Sequence, residues 1–101
     1  MTLAEISVIP LGTETPSVSK YVAQAVKVLQ QEEGIKYELT AMGTIVEGEL
    51  DNILAVAKKM HEGIFSEGVA RVVTTITIDD RRDRSSTMGS KIESLRRELG
   101  R

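Results

Sequence analysis

Acidic and basic side chains alternate near the end of the chain, in the sequence TTITIDDRRDRSS from Thr74 to Ser86. Asp79, Asp80 and Asp83 carry hard oxygen ligands that suit a divalent cation, and the neighbouring arginines suit phosphate. The spacing matches no calcium loop, which needs alternate oxygen ligands, a central glycine and a distal glutamate. Because acids and arginines are interleaved, we predict mutual salt bridges, although exposed pairs contribute only about 0–1 kcal/mol each. A metal-assisted hydrolase that uses the three aspartates is the alternative interpretation.

Other reactive residue types are sparse. The chain has no cysteine, which excludes disulfides, thiolate metal sites and a cysteine nucleophile. His61 is the only histidine, so a single chain cannot form a two-histidine metal site. It lies at the edge of an apolar helical stripe, where a partly buried, hydrogen-bonded side chain is a simpler interpretation than a general base. The sequence contains no G-x-S-x-G motif, and the loop PLGTETPS has too few glycines for a phosphate-binding loop.

Length and composition restrict the class of protein. A chain of 101 residues with 41% hydrophobic residues predicts one globular domain over residues 1–101. The net charge of −2 provides no basic surface for nucleic acid, and the few aromatic residues disfavour base stacking. Glu5 and Ser7 interrupt the apolar start that a secretory signal needs, and no apolar run approaches the ~20 residues of a membrane span. We therefore expect a soluble, cytoplasmic protein without a nucleic-acid or membrane partner.

The periodicity of apolar residues predicts the elements that position these side chains. Two segments have helical spacing, the first beginning near Thr15 and Pro16 and ending before Gly34, and the second covering Leu50 to Ile64. Four segments have strand character, namely LAEISVI, KYELTAM, TIVEGE and RVVTTITID, and the middle two form a hairpin around Gly43. A last short helix carries the apolar stripe Met88, Ile92, Leu95 and Leu99. The order predicts an α+β fold, a ferredoxin-like βαββαβ sandwich with an additional C-terminal helix.

Two helices would cover one face of this sheet, so the other face is where function should be sought. Strand alternation directs Ile6 and Val8 towards the helices and Glu5, Ser7 and Ile9 away from them. Alternation alone does not determine which residues of the segment TIVE face the helices. We orient Glu47 outward because an unpaired carboxylate under the helices would cost several kcal/mol. The resulting mixture of hydroxyls, carboxylates and aliphatic side chains suits a small polar ligand or a wet subunit interface. An ordinary, partly exposed sheet face is the alternative.

Several of these segments together resemble the small thiamine-binding protein family. The resemblance rests on IPLGT from Ile9 to Thr13, Ser17, MGTIVEGE from Met42 to Glu49, His61, and RVVTTITIDDRRD from Arg71 to Asp83. It covers nearly the whole chain, and the order of the segments is more specific than any one of them. The resemblance implies a ferredoxin-like subunit that forms homo-oligomers, dimers or tetramers, through its sheets. It also implies binding of thiamine or its hydroxymethylpyrimidine part, with no catalytic activity.

The pattern and the resemblance together suggest a set of ligand-binding residues. Thiamine has a cationic thiazolium ring and an aminopyrimidine, so a carboxylate such as that of Glu47 would favour the cation or accept from the amino group. Hydroxyls would pair with ring nitrogens, and aliphatic side chains would cover a ring face. Beside Glu47 the predicted ligand-binding residues are Thr44, Ser17, Thr75, Thr13, Met42 and Ile9. Thr44 has the opposite strand parity to Glu47, so its inclusion requires a bend at Gly43. We predict no catalytic residues, no metal site and no cofactor apart from this ligand.

Overall fold

The computed structural model describes residues 1–13, 19–83 and 87–100 of the chain. The elements, in chain order, are β1 (Thr2–Leu11), α1 (Ser19–Gln30), β2 (Lys36–Leu39), β3 (Thr44–Gly48), α2 (Leu50–Phe65), β4 (Arg71–Asp79) and α3 (Met88–Glu98). This order confirms the predicted ferredoxin-like βαββαβ arrangement with an additional C-terminal helix. The predicted N-cap Thr15 and first-turn Pro16 lie outside the described residues.

The four strands form one antiparallel sheet in the order β2-β3-β1-β4. β1 lies at the centre and pairs with both neighbours, so Leu3 is opposite Glu47 on one side and opposite Asp79 on the other. β2 pairs only with β3, and its register places Lys36 opposite Glu47. β2 and β4 are therefore the edge strands of the sheet.

The hydrophobic core lies between α1, α2 and one face of the sheet. Ile6, Val46, Leu29, Ile53 and Met60 are at most 1% exposed and belong to this core. Burying a side chain of this size contributes about 1.5–3 kcal/mol, so this layer supplies most of the stabilisation. On the two helices Val28 and Val56 pack towards the core, while Val22 and Leu54 are exposed.

The turn between β2 and β3 is set by a threonine side chain. The Thr40 amide donates to the Gly43 carbonyl at 2.9 Å, and the Gly43 amide donates back to the Thr40 hydroxyl at 3.1 Å. A Cβ on Gly43 would lie 3.1 Å from the Ile6 carbonyl oxygen, so a larger residue would require β1 or the turn to shift slightly. β2 consequently ends at Leu39, earlier than the predicted segment KYELTAM, and Met42 lies in the turn.

Candidate functional site

The sheet face opposite α1 and α2 carries a concentration of charged side chains at one end. Two rows of paired residues cross all four strands on this face. One row is Lys36, Glu47, Leu3 and Asp79, and the next is Glu38, Ile45, Glu5 and Thr77. The register places Glu5, Glu38 and Glu47 on the face away from the helices. Strand alternation predicted this for Glu5, and the cost of burying a carboxylate beneath the helices predicted it for Glu47. Carboxylates outnumber ammonium groups in these rows, so this end of the face is acidic.

Glu47 is the most unusual residue of this face because its carboxylate is nearly inaccessible and incompletely bonded. The residue is only 4% exposed, and its Oε1 atom has no hydrogen-bond partner. Lys36 is directly opposite on β2, yet the ion pairs of the described residues include none between these two side chains. The structure provides neither full solvation of this carboxylate nor a partner for its Oε1 atom. A buried polar atom in this state costs about 1–3 kcal/mol, and more when charged.

The first turns of α3 lie beside the sheet face opposite α1 and α2, while Ile92, Leu95 and Leu99 of the helix are 48–61% exposed. A cavity of about 300 Å³ lies between α3 and this face, at the lower end of the range for small-molecule sites. Its apolar wall comes from both sides, with Leu3 and Ile45 from the sheet and Met88 and Ile92 from α3. The apolar stripe of α3 was visible in the sequence, but nothing in the pattern indicated which surface it would cover.

The polar lining of this cavity is mainly acidic. It consists of Glu5, Glu38, Thr77, Asp79 and Lys91. Lys91 on α3 donates to Asp79 on β4, which fixes the helix against the strand. Glu5 and Glu38 have no ion pair within the described part of the chain. Glu47 lies beside the cavity, since its sheet neighbours Leu3 and Ile45 both line it.

The start of α3 is fixed by a reciprocal pair of hydrogen bonds. The Ser90 amide donates to the Thr87 hydroxyl at 3.0 Å, and the Thr87 amide donates to the Ser90 hydroxyl at 2.9 Å. This capping box satisfies backbone donors that would otherwise be free in the first turn. These local hydrogen bonds therefore fix the start of the helix just before the cavity residues Met88 and Lys91.

The other predicted ligand-binding residues are distributed over the molecule. Thr75 and Ile9 lie on the same face as Glu47, towards the other end of the sheet, where they pair with Ser7 and Val73. Met42 is 82% exposed in the β2–β3 turn, and Thr13 is half-buried just after β1.

Thr44 and Ser17 complete that set. Thr44 pairs regularly with Ile6 and Leu39, so it lies on the helix-covered face, only 5% exposed. The bend at Gly43 that would bring it beside Glu47 is not formed. Ser17 lies outside the described residues.

The aspartate and arginine stretch forms the salt bridges that the sequence predicted. Arg81 Nε donates to Asp83 Oδ1 at 2.7 Å, and Arg82 Nη2 donates to Asp80 Oδ2 at 2.9 Å. The hydrogen bond from Arg82 lowers the pKa of Asp80 below its ordinary value, and desolvation partly opposes this shift. Hydrogen bonds to Asp83 and Asp80 raise the pKa of Arg81 and of Arg82. No group of three or more acidic or histidine side chains within residues 1–13, 19–83 and 87–100 is arranged to hold a metal ion.

His61 has a structural partner rather than a substrate-facing position. Its Nδ1 atom lies 2.6 Å from the Thr74 hydroxyl on the helix-covered face of β4. The imidazole also makes an edge-to-face contact with Phe65, with ring centroids 5.3 Å apart. The side chain is half-buried and hydrogen-bonded, as predicted from its place on the helical stripe.

These features define a small ferredoxin-like protein with an acidic, apolar-walled cavity between its sheet and an additional helix. No helix in the part of the chain that the structure describes is long and apolar enough to cross a membrane. A family model described as thiamine-binding protein matches residues 4–96. The chain belongs to the thiamine-binding protein family.

Similar sequences and solved structures also match nearly the whole chain. The chain is 53% identical to the UPF0045 protein YqgV of Bacillus subtilis over 98% of both chains. A solved structure of the hypothetical protein MJ1052 of Methanocaldococcus jannaschii has a TM-score of 0.86 and 41% identity, covering 93% of this chain and 94% of that one.

A more distant structural neighbour comes from Thermotoga maritima. It is provisionally assigned to thiamine biosynthesis or salvage, and it has a TM-score of 0.76 at 24% identity. The match covers 94% of this chain and 98% of that one. At this identity the likeness shows a common fold alone.

Proposed function

We propose that this protein binds thiamine, or its hydroxymethylpyrimidine part, without catalysis, in the cavity between the sheet and α3. The observation that carries the proposal is the buried Glu47 carboxylate with an unpartnered Oε1, beside a cavity with an apolar wall. A buried charge without a partner is costly, and a ligand that donates to it offsets this cost. Membership of the thiamine-binding protein family supports the choice of ligand.

The chemistry of the cavity lining matches that of the ligand. The thiazolium cation would be attracted by Glu5 and Glu38, and the aminopyrimidine amino group would donate to a carboxylate such as that of Glu47. Leu3, Ile45 and Met88, together with Ile92, provide aliphatic surface for the ring faces. Among the described residues no aromatic side chain lines this cavity, so stacking contributes little and we expect modest affinity.

A thermal-shift and calorimetry series tests the proposal. Ligand that binds only the folded state stabilises it by about 2.7 kcal/mol at a hundredfold excess over Kd. Thiamine and hydroxymethylpyrimidine should therefore raise Tm and give a calorimetric binding isotherm. The control is the same titration with a neutral sugar of similar size. If neither compound shifts Tm nor gives heat, the protein is a ligand-free assembly module, and this proposal is wrong.

The hydrolase alternative makes a different prediction. Asp79, Asp80 and Asp83 are each engaged by a cationic side chain, which leaves fewer lone pairs for a metal. If these aspartates formed a functional metal site, Mg²⁺, Mn²⁺ or Ca²⁺ would raise Tm in the absence of thiamine. We expect no such rise.

We further propose that the protein forms a homo-oligomer, a dimer or tetramer, as the family resemblance implies. β4 is an edge strand nine residues long, and Val73, Ile76 and Ile78 along it are 37–43% exposed. Unpaired edges with apolar side chains favour association with another chain. Light scattering at micromolar concentration should give at least twice the mass of one chain, and Ile78→Lys should lower it. A stable wild-type monomer would contradict the proposal. The cytoplasmic location stays a prediction from the sequence.

A further inference from the structure

The C-terminal helix α3 receives little support from its own chain. It has 11 residues, and none of them is buried. Isolated helices shorter than about 12–15 residues are only marginally stable in water, so a helix of this length depends on packing against another surface. The cavity lining takes no residue of the helix after Ile92, and Leu95 and Leu99 beyond it are 55% and 61% exposed. The second half of α3 is therefore an apolar surface in contact with solvent.

The shape of the molecule agrees with a projecting helix. The Cα radius of gyration is 15.0 Å, whereas about 13 Å is typical of a compact domain of 100 residues. The longest extent of the molecule is 46 Å and the shortest is 19 Å. Of the three helices that the structure describes, only α3 lacks a buried residue. We therefore assign the elongation to α3.

The apolar residues of α3 recur at the spacing of a coiled-coil seam. Successive members of the stripe are four, three and four residues apart, as the core positions of a heptad are. The stripe consists of Met88, Ile92, Leu95 and the C-cap residue Leu99. A stripe confined to these positions is typical of packing on one other helix, whereas a helix that covers a core carries a wider apolar face.

The charges beside the stripe determine which orientation of two such helices is favourable. In the heptad that the stripe defines, Lys91 and Glu98 flank the seam on one side and Arg96 flanks it on the other. In a parallel pair, Lys91 of each copy would face Arg96 of the other, and the like charges would repel. In an antiparallel pair, Lys91 of each copy would face Glu98 of the other. The ammonium group of Lys91 donates to Asp79 and has further donors for this second carboxylate.

We propose that α3 is an interaction surface for a second copy of this chain, and that the two α3 helices pack antiparallel about a two-fold axis. Ile92 then faces Leu95 of the second copy, and Met88 faces Leu99 of the second copy. The same surface of each chain is used on both sides, as a two-fold interface requires. Because Met88 lines the cavity, Leu99 of the second copy lies at the edge of that cavity. This surface is separate from the β4 edge, and the pairing does not depend on the proposed ligand.

Sedimentation equilibrium of variants on the two faces of α3 tests the pairing. Leu95→Glu should weaken self-association at least about tenfold, because each pair of helices loses two leucines from its seam. Ser94→Glu adds the same charge on the outer face of the same helix and should leave the association constant at the wild-type value. Equal association of Leu95→Glu and wild type would overturn the proposal.

A charge reversal tests the orientation. Glu98→Lys places Lys91 opposite a lysine in the antiparallel pair and should weaken association about threefold or more at low salt. The effect should shrink at high salt, because ions screen exposed charges. Glu93→Lys makes the same change of charge on the outer face of α3 and is the matched control. Equal association constants for these two variants would overturn the antiparallel orientation.

Cross-linking provides an independent measurement of the orientation. The natural chain has no cysteine, so an introduced cysteine is the only thiol. When Ile92→Cys and Leu95→Cys chains are mixed with a short bismaleimide, mass spectrometry should find mainly the product that joins one chain of each variant. Products that join two Ile92→Cys chains would instead indicate a parallel pair and overturn the proposal. A monomeric wild-type protein would overturn both this pairing and the homo-oligomer, while thiamine binding would be judged separately by calorimetry.

Discussion

Replacement of Glu47 should change stability and binding in opposite directions. The carboxylate is 4% exposed and its Oε1 has no partner, so the ligand-free protein carries a desolvation cost of about 1–3 kcal/mol or more. Glu47→Gln removes the charge but leaves a buried amide, so we expect a gain of about 1 kcal/mol in the free energy of unfolding. Glu47→Met also removes the polar atoms, and apolar replacements of buried ionic groups stabilise by up to about 1–4 kcal/mol.

Those magnitudes are large enough to measure. For a domain of this size, 1 kcal/mol corresponds to a Tm change of about 4–8 °C. Thiamine affinity should meanwhile fall about ten- to a hundredfold in Glu47→Gln, because a charge-assisted hydrogen bond contributes roughly 1.5–3 kcal/mol. Urea unfolding gives the first quantity and calorimetry with thiamine gives the second.

The test is whether the Glu47 variants gain stability while Glu47→Gln loses affinity for thiamine. Glu62→Gln, which removes an exposed carboxylate, should change neither quantity. A loss of stability in both Glu47 variants would show that the carboxylate has a stabilising partner in solution, with Lys36 the nearest candidate across the strands. Unchanged thiamine affinity in a stable Glu47→Gln protein would remove this residue from the site.

Two further predictions concern the charged contacts at the end of β4 and directly after it. The pKa of Asp80 is lowered in the folded state. Its pairing therefore stabilises the fold fully at pH values above the ordinary pKa of 3.8, and this stabilisation is lost as the pH falls through the lower pKa of the folded state. Thermal unfolding should show Asp80→Asn to be less stable than wild type at pH 7, and this difference should vanish in strong acid. A stability difference that persists in strong acid would exclude the pair of Asp80 and Arg82 as its cause. Lys91→Gln breaks the contact with Asp79 and should increase amide exchange in α3 at little cost in global stability, since exposed pairs contribute about 0–1 kcal/mol. Lys58→Gln on α2 is the matched control, and equal exchange in both variants would show that Lys91 does not hold the helix.

The sequence predicted the architecture well because the fold depends on the spacing of apolar residues and on the order of the helices and strands. Alternation in β1 and β4 and the helical stripe of α2 allow few arrangements once crossovers are right-handed. The orientation of Glu47 was also predictable, from the cost of burying it beneath the helices. Its near-complete burial on the other face was not, because this depends on neighbouring strands that are distant in sequence.

The cavity itself could not be derived from the sequence. Its lining combines β1, β2, β3 and β4 with the first turns of α3, and no local pattern fixes where an additional helix docks. The contact between Lys91 and Asp79 depends on that docking, so the sequence predicted pairing of Asp79 with the arginines of its own stretch instead. The position of Thr44, in contrast, could be predicted. Its strand parity, opposite to that of Glu47, already indicated the helix-covered face on which it lies in the structure.

The central position of β1 has a consequence for how the chain folds. Its partners are separated from it by very different lengths of chain, since Leu3 pairs with Glu47 and also with Asp79. The second pairing closes a loop of more than seventy residues, which is entropically slow to form. During synthesis β1 can pair with β3 well before β4 leaves the ribosome, and one edge of β1 then stays unpaired. Because β4 and α3 complete the cavity, the proposed binding site would form only in the last step of folding.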